Sequence, residues 1–337
     1  MHSDLGEFEL IQRFFQTRAM AVPAPDNQHI LLGIGDDCAL IEPNPQEHIA
    51  ITSDMLVEGR HFFADANPQW LGHKALAVNL SDLAAMGAKP LGFTLAVALP
   101  HGNSTWLDAF SNGLFALAQE FSCPLIGGDT TRGPLNICIT AFGGIPTGKA
   151  IRRSGAIVGD EIWVSGSVGD ARLTLAALRQ ELTLSHLELQ TIQTRLHQPT
   201  PRIDLGMALR DLAHSAVDIS DGLFGDLKHI LEASQVDAQV FLEQLPKSAT
   251  LKKQERTIQN QFAANGGDDY ELCFTAPADK HDQLRKLSKA LSLNLTHIGS
   301  ITAMTSLTPK LQIFDEQQTL LSDTETAALL KSFDHFK

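Results

Sequence analysis

Residues 74–90 read Lys-Ala-Leu-Ala-Val-Asn-Leu-Ser-Asp-Leu-Ala-Ala-Met-Gly-Ala-Lys-Pro, and their spacing predicts a helix with polar groups on its inner side. Ala75, Leu76, Leu83 and Met86 recur at the three-and-four interval of one helical stripe, and Gly87 and Pro90 supply a stop. Asn79 and Asp82 fall on or beside that stripe, not opposite it. A carboxylate turned inward is costly unless something pairs with it. Two arrangements satisfy the pattern. Either Ser81-Asp82 caps a second, shorter helix after a strand, or Asp82 faces a cation.

Other acidic residues recur beside glycines and at the ends of predicted strands. Gly33-Ile-Gly-Asp-Asp37 follows a short strand at 29–32; it reads as a plain turn, or as backbone crowding a ligand with two carboxylates for a cation. A strand at 49–53 ends in Thr52-Ser53-Asp54, hard oxygen donors that suit Mg²⁺ unless one of them merely caps a helix. Gly127-Gly128-Asp129 ends a strand at 124–128. In Val217-Asp218-Ile219-Ser220-Asp221-Gly222, Asp221 can be an N-cap. Asp218 inside a strand has no such reading, because strand interiors disfavour aspartate. Asn265-Gly-Gly-Asp268-Asp-Tyr-Glu271 echoes Gly127-Gly-Asp129, and Ile219-Ser220-Asp221 echoes Thr52-Ser53-Asp54.

Brought together, Asp37, Asp54, Asp82, Asp129, Asp218 and Asp221 would raise one another's pKa, and several Mg²⁺ ions would resolve the repulsion. Clustered Mg²⁺ held by few carboxylates takes substrate phosphates as its remaining ligands. The pattern therefore points to metal-assisted phosphoryl chemistry. Neither a G-x-x-x-x-G-K-[ST] loop nor a kinase glycine-rich loop with its H-R-D partner is present, so an ATP-using enzyme here is of another class.

The remaining segments alternate. Helices are expected at 6–17 (ended by Pro23-Ala-Pro25), 104–121, 184–196 and 202–213, and strands at 91–99, 135–144, 161–165 and 272–275. That alternation signals an α/β (α+β layered) architecture. At 337 residues the chain has room for two domains, and a glycine-punctuated joint near 148–159 divides it into 1–148 and 149–337. Arg152 and Arg153 lie in that joint, as solvated linker charges or as a phosphate clamp. The net charge of −13 opposes binding to nucleic acid or an anionic membrane. No apolar run approaches the ~20 residues of a spanning helix, and no signal peptide is seen. The four cysteines form no C-x-x-C pair, which suggests buried reduced thiols; a cytoplasmic location follows from the same features.

Gly33-Ile-Gly-Asp-Asp37, Thr52-Ser-Asp54, His61-Phe, Asn79-Leu-Ser-Asp82-Leu-Ala-Ala-Met-Gly, Gly127-Gly-Asp129-Thr-Thr, Arg153-Ser-Gly, Asp218-Ile-Ser-Asp221-Gly-Leu, Gly266-Gly-Asp-Asp-Tyr-Glu271 and the terminal Phe-Asp-His-Phe occur in that order. In this the chain resembles the thiamine-monophosphate kinase family, of the aminoimidazole ribonucleotide synthetase-like superfamily. The resemblance implies a two-domain synthetase-like fold, a homodimer formed through the N-terminal sheet, and ATP-dependent conversion of thiamine monophosphate to thiamine diphosphate. It implies Asp37, Thr52, Ser53, Asp54, Asp82, Asp129, Asp218 and Asp221 as ligands of several Mg²⁺ ions. It implies Gly128, Asp129, Arg153 and Ser220 as ATP contacts, and His61, Asp268 and Phe333 as contacts of thiamine monophosphate. The family commonly has Glu where this chain has Asp268, and Tyr or Trp where it has Phe333. No side-chain nucleophile is expected, since in-line transfer requires positioning and charge neutralisation. Two rivals remain: a superfamily enzyme acting on another phosphate acceptor, and a non-catalytic cation- or nucleotide-binding protein.

Overall fold

Two sheets organise the chain. In the computed structural model, which describes residues 7–22 and 29–330, they belong to two compact units. One unit comprises residues up to Leu83 with Ala88–Lys149; the other comprises Ala84–Gly87 and everything from Ala150 on.

In the first unit, α1 (Glu7–Leu10) runs through a π-helical stretch at Ile11–Gln16 into α2 (Thr17–Ala19), burying Leu10, Phe14 and Phe15. Pro23 and Pro25 lie outside the described residues. A small ribbon of β1 (Ile30–Leu32) and β2 (Leu40–Ile41) follows. The main sheet has the order β3 (Glu47–Val57), β6 (Asn136–Pro146), β4 (Lys89–Leu99), β5 (Leu125–Arg132). Its β4–β5 pair is parallel and the other pairs are antiparallel.

Two helices complete this unit, α3 (Pro68–Ala85) and α4 (Ser104–Glu120). They cross closely: a Cβ on Gly72 would stand 2.0 Å from the Phe110 carbonyl oxygen, and one on Gly113 only 1.8 Å from that of Gln69. α3 begins six residues before the expected start and is buried around nearly its whole circumference from Leu71 to Ala85. It ends in a Schellman turn. Ala88 N–H reaches Leu83 O at 2.8 Å, Gly87 N–H reaches Ala84 O at 2.9 Å, and Gly87 takes φ +68°. Pro90 is not part of the stop; it lies inside β4. α4 starts at Ser104 as expected, and Asn103 caps it, accepting from the Thr105 and Trp106 N–H groups.

The second unit carries a six-stranded, mostly antiparallel sheet of order β12 (Leu311–Phe314), β9 (Asp237–Phe241), β11 (Leu295–Thr302), β7 (Glu161–Ser165), β10 (Leu272–Ala276), β8 (Ser215–Asp218). Around its apolar core stand α5 (Asp170–Leu178), α6 (His186–His197), α7 (Ile203–Ala208), α8 (Leu223–Ser234), α9 (Arg256–Asn265), α10 (His281–Ala290) and α11 (Asp323–Leu329). Ser185 and Glu188 form the capping box that opens α6.

All four cysteines are free, but only Cys123 and Cys273 are buried; Cys138 is half-buried and Cys38 exposed, which corrects the expectation of four buried thiols. Among the described residues no helix is long and apolar enough to cross a membrane.

Candidate active site

Thr52, Ser53 and Asp54 do not end a strand. They lie in the middle of β3, paired with Ala141, Thr140 and Ile139 of β6. Alternation then separates them: Thr52 and Asp54 turn to one face and Ser53 to the other. Ser53 Oγ engages Thr140 Oγ1 at 3.0 Å and donates to Ile139 O at 3.3 Å. On the opposite face Thr52 Oγ1 donates to the Asp82 carboxylate of α3. β3 is an edge strand, and the Asp54 N–H finds its acceptor in Asn79 Oδ1 at 3.1 Å. Asn79 is fully buried, and its Nδ2 donates to Ala75 O at 3.1 Å. The polar residues on the inner stripe of α3 thus have a structural account: Asn79 pins β3, and Asp82 is presented beside Asp54. Ser81-Asp82 does not cap a second helix.

Two carboxylates brought together in a half-buried place repel each other. Burial, and secondarily the Asp82 charge, push the Asp54 carboxyl up to about 6 from its ordinary 3.8.

The other acidic residues of the first unit are placed differently. Asp37 is exposed in a turn, with its N–H held by Asp36 Oδ1 at 2.9 Å. Asp129 is exposed within β5, which runs on to Arg132 rather than stopping at Gly128. Gly128 has φ +154°, and a Cβ there would lie 1.9 Å from Leu95 O. His61 sits in the turn after β3 and accepts the Val57 N–H on Nδ1 at 3.0 Å, which fixes the neutral tautomer with its proton on Nε2.

In the second unit Asp218 is the last residue of β8, buried and paired with Leu272. Asp221 does not cap α8. Gly222 holds the cap position, and the carboxylate that receives the Asp221 and Gly222 N–H groups, each at 3.1 Å, belongs to Asp226. Burial, then the Asp221 charge, raise Asp226 to about 7. The echo between Thr52-Ser53-Asp54 and Ile219-Ser220-Asp221 is therefore one of letters, since one triplet is mid-strand and the other a loop. Ser220 O accepts the Asp268 N–H at 2.8 Å, and Asp268 adopts φ +66°. Arg153 is exposed, its carbonyl accepting from Ser234 Oγ at 3.1 Å. Phe333 lies outside the described residues.

Pattern alone does not single out the buried network behind Asp268. Glu271 is 0% exposed and accepts from Arg195 Nη2 at 2.6 Å, Arg202 Nε at 2.7 Å and Ser165 Oγ at 2.5 Å. Asp269, also fully buried, receives the Gly169 N–H on both oxygens, and its burial raises its pKa well above the carboxylate range. The available signal is three acids within four residues of an otherwise apolar strand entry, which demands cations elsewhere in the chain. Among the described residues no group of three or more His, Cys, Asp or Glu side chains forms a ready-made metal cage.

Residues 35–145 match the AIR synthase related protein N-terminal domain family, and residues 158–312 match its C-terminal domain family. The thiamine-monophosphate kinase of Haemophilus influenzae is 42% identical over 336 residues, covering 99% of this chain and 98% of that protein. The chain belongs to the thiamine-monophosphate kinase family. A crystal structure of the family's member from Stenotrophomonas maltophilia superposes with a TM-score of 0.82 at 45% identity, covering 92% of this chain and 98% of that one. The structure of AaThiL complexed with AMPPCP and TMP aligns with a TM-score of 0.72 at 27% identity, covering 94% and 96%. The mixed α/β fold with two sheet-containing units is the family's.

Proposed function

We propose that this chain transfers the γ-phosphoryl group of ATP to the phosphate of thiamine monophosphate, yielding thiamine diphosphate and ADP. The observation that carries the proposal is the Thr52–Asp82–Asp54 arrangement in a member of this family. Two carboxylates and a hydroxyl converge where one carboxylate is already hard to ionise. Such a hard-oxygen set fits Mg²⁺, which is typically bound through one or two carboxylates with substrate phosphates as further ligands. When bound, Mg²⁺ neutralises phosphate charge and aligns the donor and acceptor oxygens.

The protein's own residues do the positioning. Thr52, Asp54 and Asp82 are assigned to hold cation charge from the first unit, with Asn79 tying the Asp54 backbone N–H to α3 and the Thr52 hydroxyl donating to the Asp82 carboxylate. Asp37 and Asp129 are assigned to the same work, as are Asp218 and Asp221 from the second unit; the Ser53 hydroxyl, expected in this set, turns to the other face of β3 and engages Thr140 and Ile139 instead. Gly128, Asp129, Arg153 and Ser220 are assigned to ATP, and His61, Asp268 and Phe333 to the acceptor. An oxygen of the acceptor phosphate bonds to Pγ as the Pγ–O bond to ADP breaks, in line and without a phosphoenzyme. The working division is 1–148 for metal, nucleotide and dimer contacts and 149–337 for completing the site. A homodimer is supported by the outward face of β3, where Ile51 is 65% and Met55 53% exposed, beside the half-exposed Phe142 of β6. A cytoplasmic location is part of this reading, in keeping with the chain's acidity.

The test is thiamine diphosphate formation from thiamine monophosphate, ATP and Mg²⁺ against a chelator control. Metal-dependent product is expected. No product despite ATP binding would return the chain to the cation- or nucleotide-binding reading, and product with another acceptor to a sister activity. Asp82→Ala is expected to abolish turnover with the circular dichroism spectrum unchanged.

A further inference from the structure

The second unit holds a cavity of about 540 Å³ whose lining includes none of the residues assigned to metal, ATP or acceptor. Its charged wall consists of Arg195, Arg202, Lys247 and Lys252 against Glu243 and Glu271. The carboxylates are already engaged. Glu271 is held by both arginines, and Glu243 is bonded to Arg256, which does not line the cavity. Lys247, only 8% exposed, donates to two neutral oxygens, Leu242 O at 3.1 Å and Asn260 Oδ1 at 2.7 Å. Arg195 Nε is buried with no hydrogen-bond partner.

We propose that this cavity binds a small phosphomonoester, with Lys247 and Lys252 as counter-charges for its phosphate. A buried ammonium whose hydrogen bonds go to neutral oxygens is costly, and a second lysine nearby adds to the cost; a dianion relieves both. Burial already lowers Lys247 to about 8, with Glu316 acting against the shift and Lys252 with it. The cavity lies within the size range of organic ligand sites, roughly 300–1,000 Å³, and far exceeds what a bare phosphate fills. Gln244, Asn294 and Thr296 offer polar contacts for the organic part. None of this depends on the kinase reaction, since the two sets of residues do not overlap.

The test is calorimetric titration of the full-length protein with inorganic phosphate and with ribose 5-phosphate, in excess chelator so that no phosphate is held through metal. Ribose 5-phosphate is expected to bind one per chain and more tightly than inorganic phosphate. Loss of one charge-assisted contact weakens such binding by about 10-fold, the effect expected of Lys247→Gln and of Lys252→Gln, whereas Asp82→Asn leaves it unchanged. Lys252 is exposed, so its variant is expected to keep the wild-type melting temperature and decides the matter if Lys247→Gln fails to fold. Failure of both probes to bind, binding untouched by the Lys252 change, or binding lost with Asp82→Asn would each overturn the proposal. Equal affinity for the two probes would refute the phosphomonoester specificity.

Discussion

Glu271→Gln removes one charge and almost no volume, which makes it a clean probe of the acid network behind Asp268. In the wild-type protein the carboxylate is fully buried between Arg195, Arg202 and Ser165. The amide leaves two guanidinium groups facing a neutral partner. Breaking a buried ion pair from one side costs about 3–5 kcal/mol. The arginine side chains retain 18% and 16% exposure, which places the cost at the lower end, about 3 kcal/mol. For a unit of this size, each kcal/mol lowers the melting temperature by roughly 2–4 °C, so a drop of about 10 °C is expected by scanning calorimetry. The triple change Glu271→Leu, Arg195→Met, Arg202→Met removes both ion pairs of Glu271 together but also takes Arg195 from Asp269 and Asp170, so it is expected to recover only part of that loss. A drop below about 2 °C for Glu271→Gln would refute the assignment of a buried, mutually dependent charge cluster. So would a triple variant less stable than the single one.

Three further outcomes follow from the first unit. Asp54 holds its proton more tightly folded than unfolded, about 6 against 3.8. Its contribution to stability is therefore intact below pH ~4 and lost as pH rises through 6, up to about 3 kcal/mol without metal. Mg²⁺ needs the ionised form, so it is expected to raise the melting temperature more at about pH 7.5 than at about pH 5; equal shifts in a thermal-shift series would refute the shared site. Asn79→Leu strands the Asp54 N–H and is expected to cost about 1–3 kcal/mol in urea denaturation while impairing turnover. Gly113→Ala places a methyl 1.8 Å from Gln69 O, so α4 must move off α3, at about 1–3 kcal/mol or more; an unchanged denaturation midpoint would show that the crossing is loose.

What the sequence reveals and conceals here follows the range of the interactions involved. β7 is legible to the residue, because Glu161-Ile-Trp-Val-Ser165 is bounded by glycine-rich turns that act locally. The Lys74–Pro90 helix is legible in kind but not in extent, since α3 is apolar nearly all round and offers no contrast to mark its start at Pro68. Thr52-Ser53-Asp54 looks like a strand end because three polar residues interrupt an apolar run. It is a strand middle because β6 pairs with it along its whole length, and only one face of that pair meets α3. Asp226 and Glu271 are missed for different reasons. Asp226 acts locally, receiving the Asp221 and Gly222 N–H groups at the start of α8, and it lies outside the Asp218-Ile-Ser-Asp221-Gly-Leu motif; Glu271 lies inside a visible motif, but its role is set by Arg195 and Arg202, which lie far from it in sequence and which no spacing rule encodes. Carboxylates near glycine are visible from the chain as a demand for cations. Which carboxylates lie beside cations is decided by the fold: Glu271 has its arginines, whereas Asp82 stands beside Asp54 and raises its pKa, and it is to this carboxylate pair that the proposed function assigns a metal.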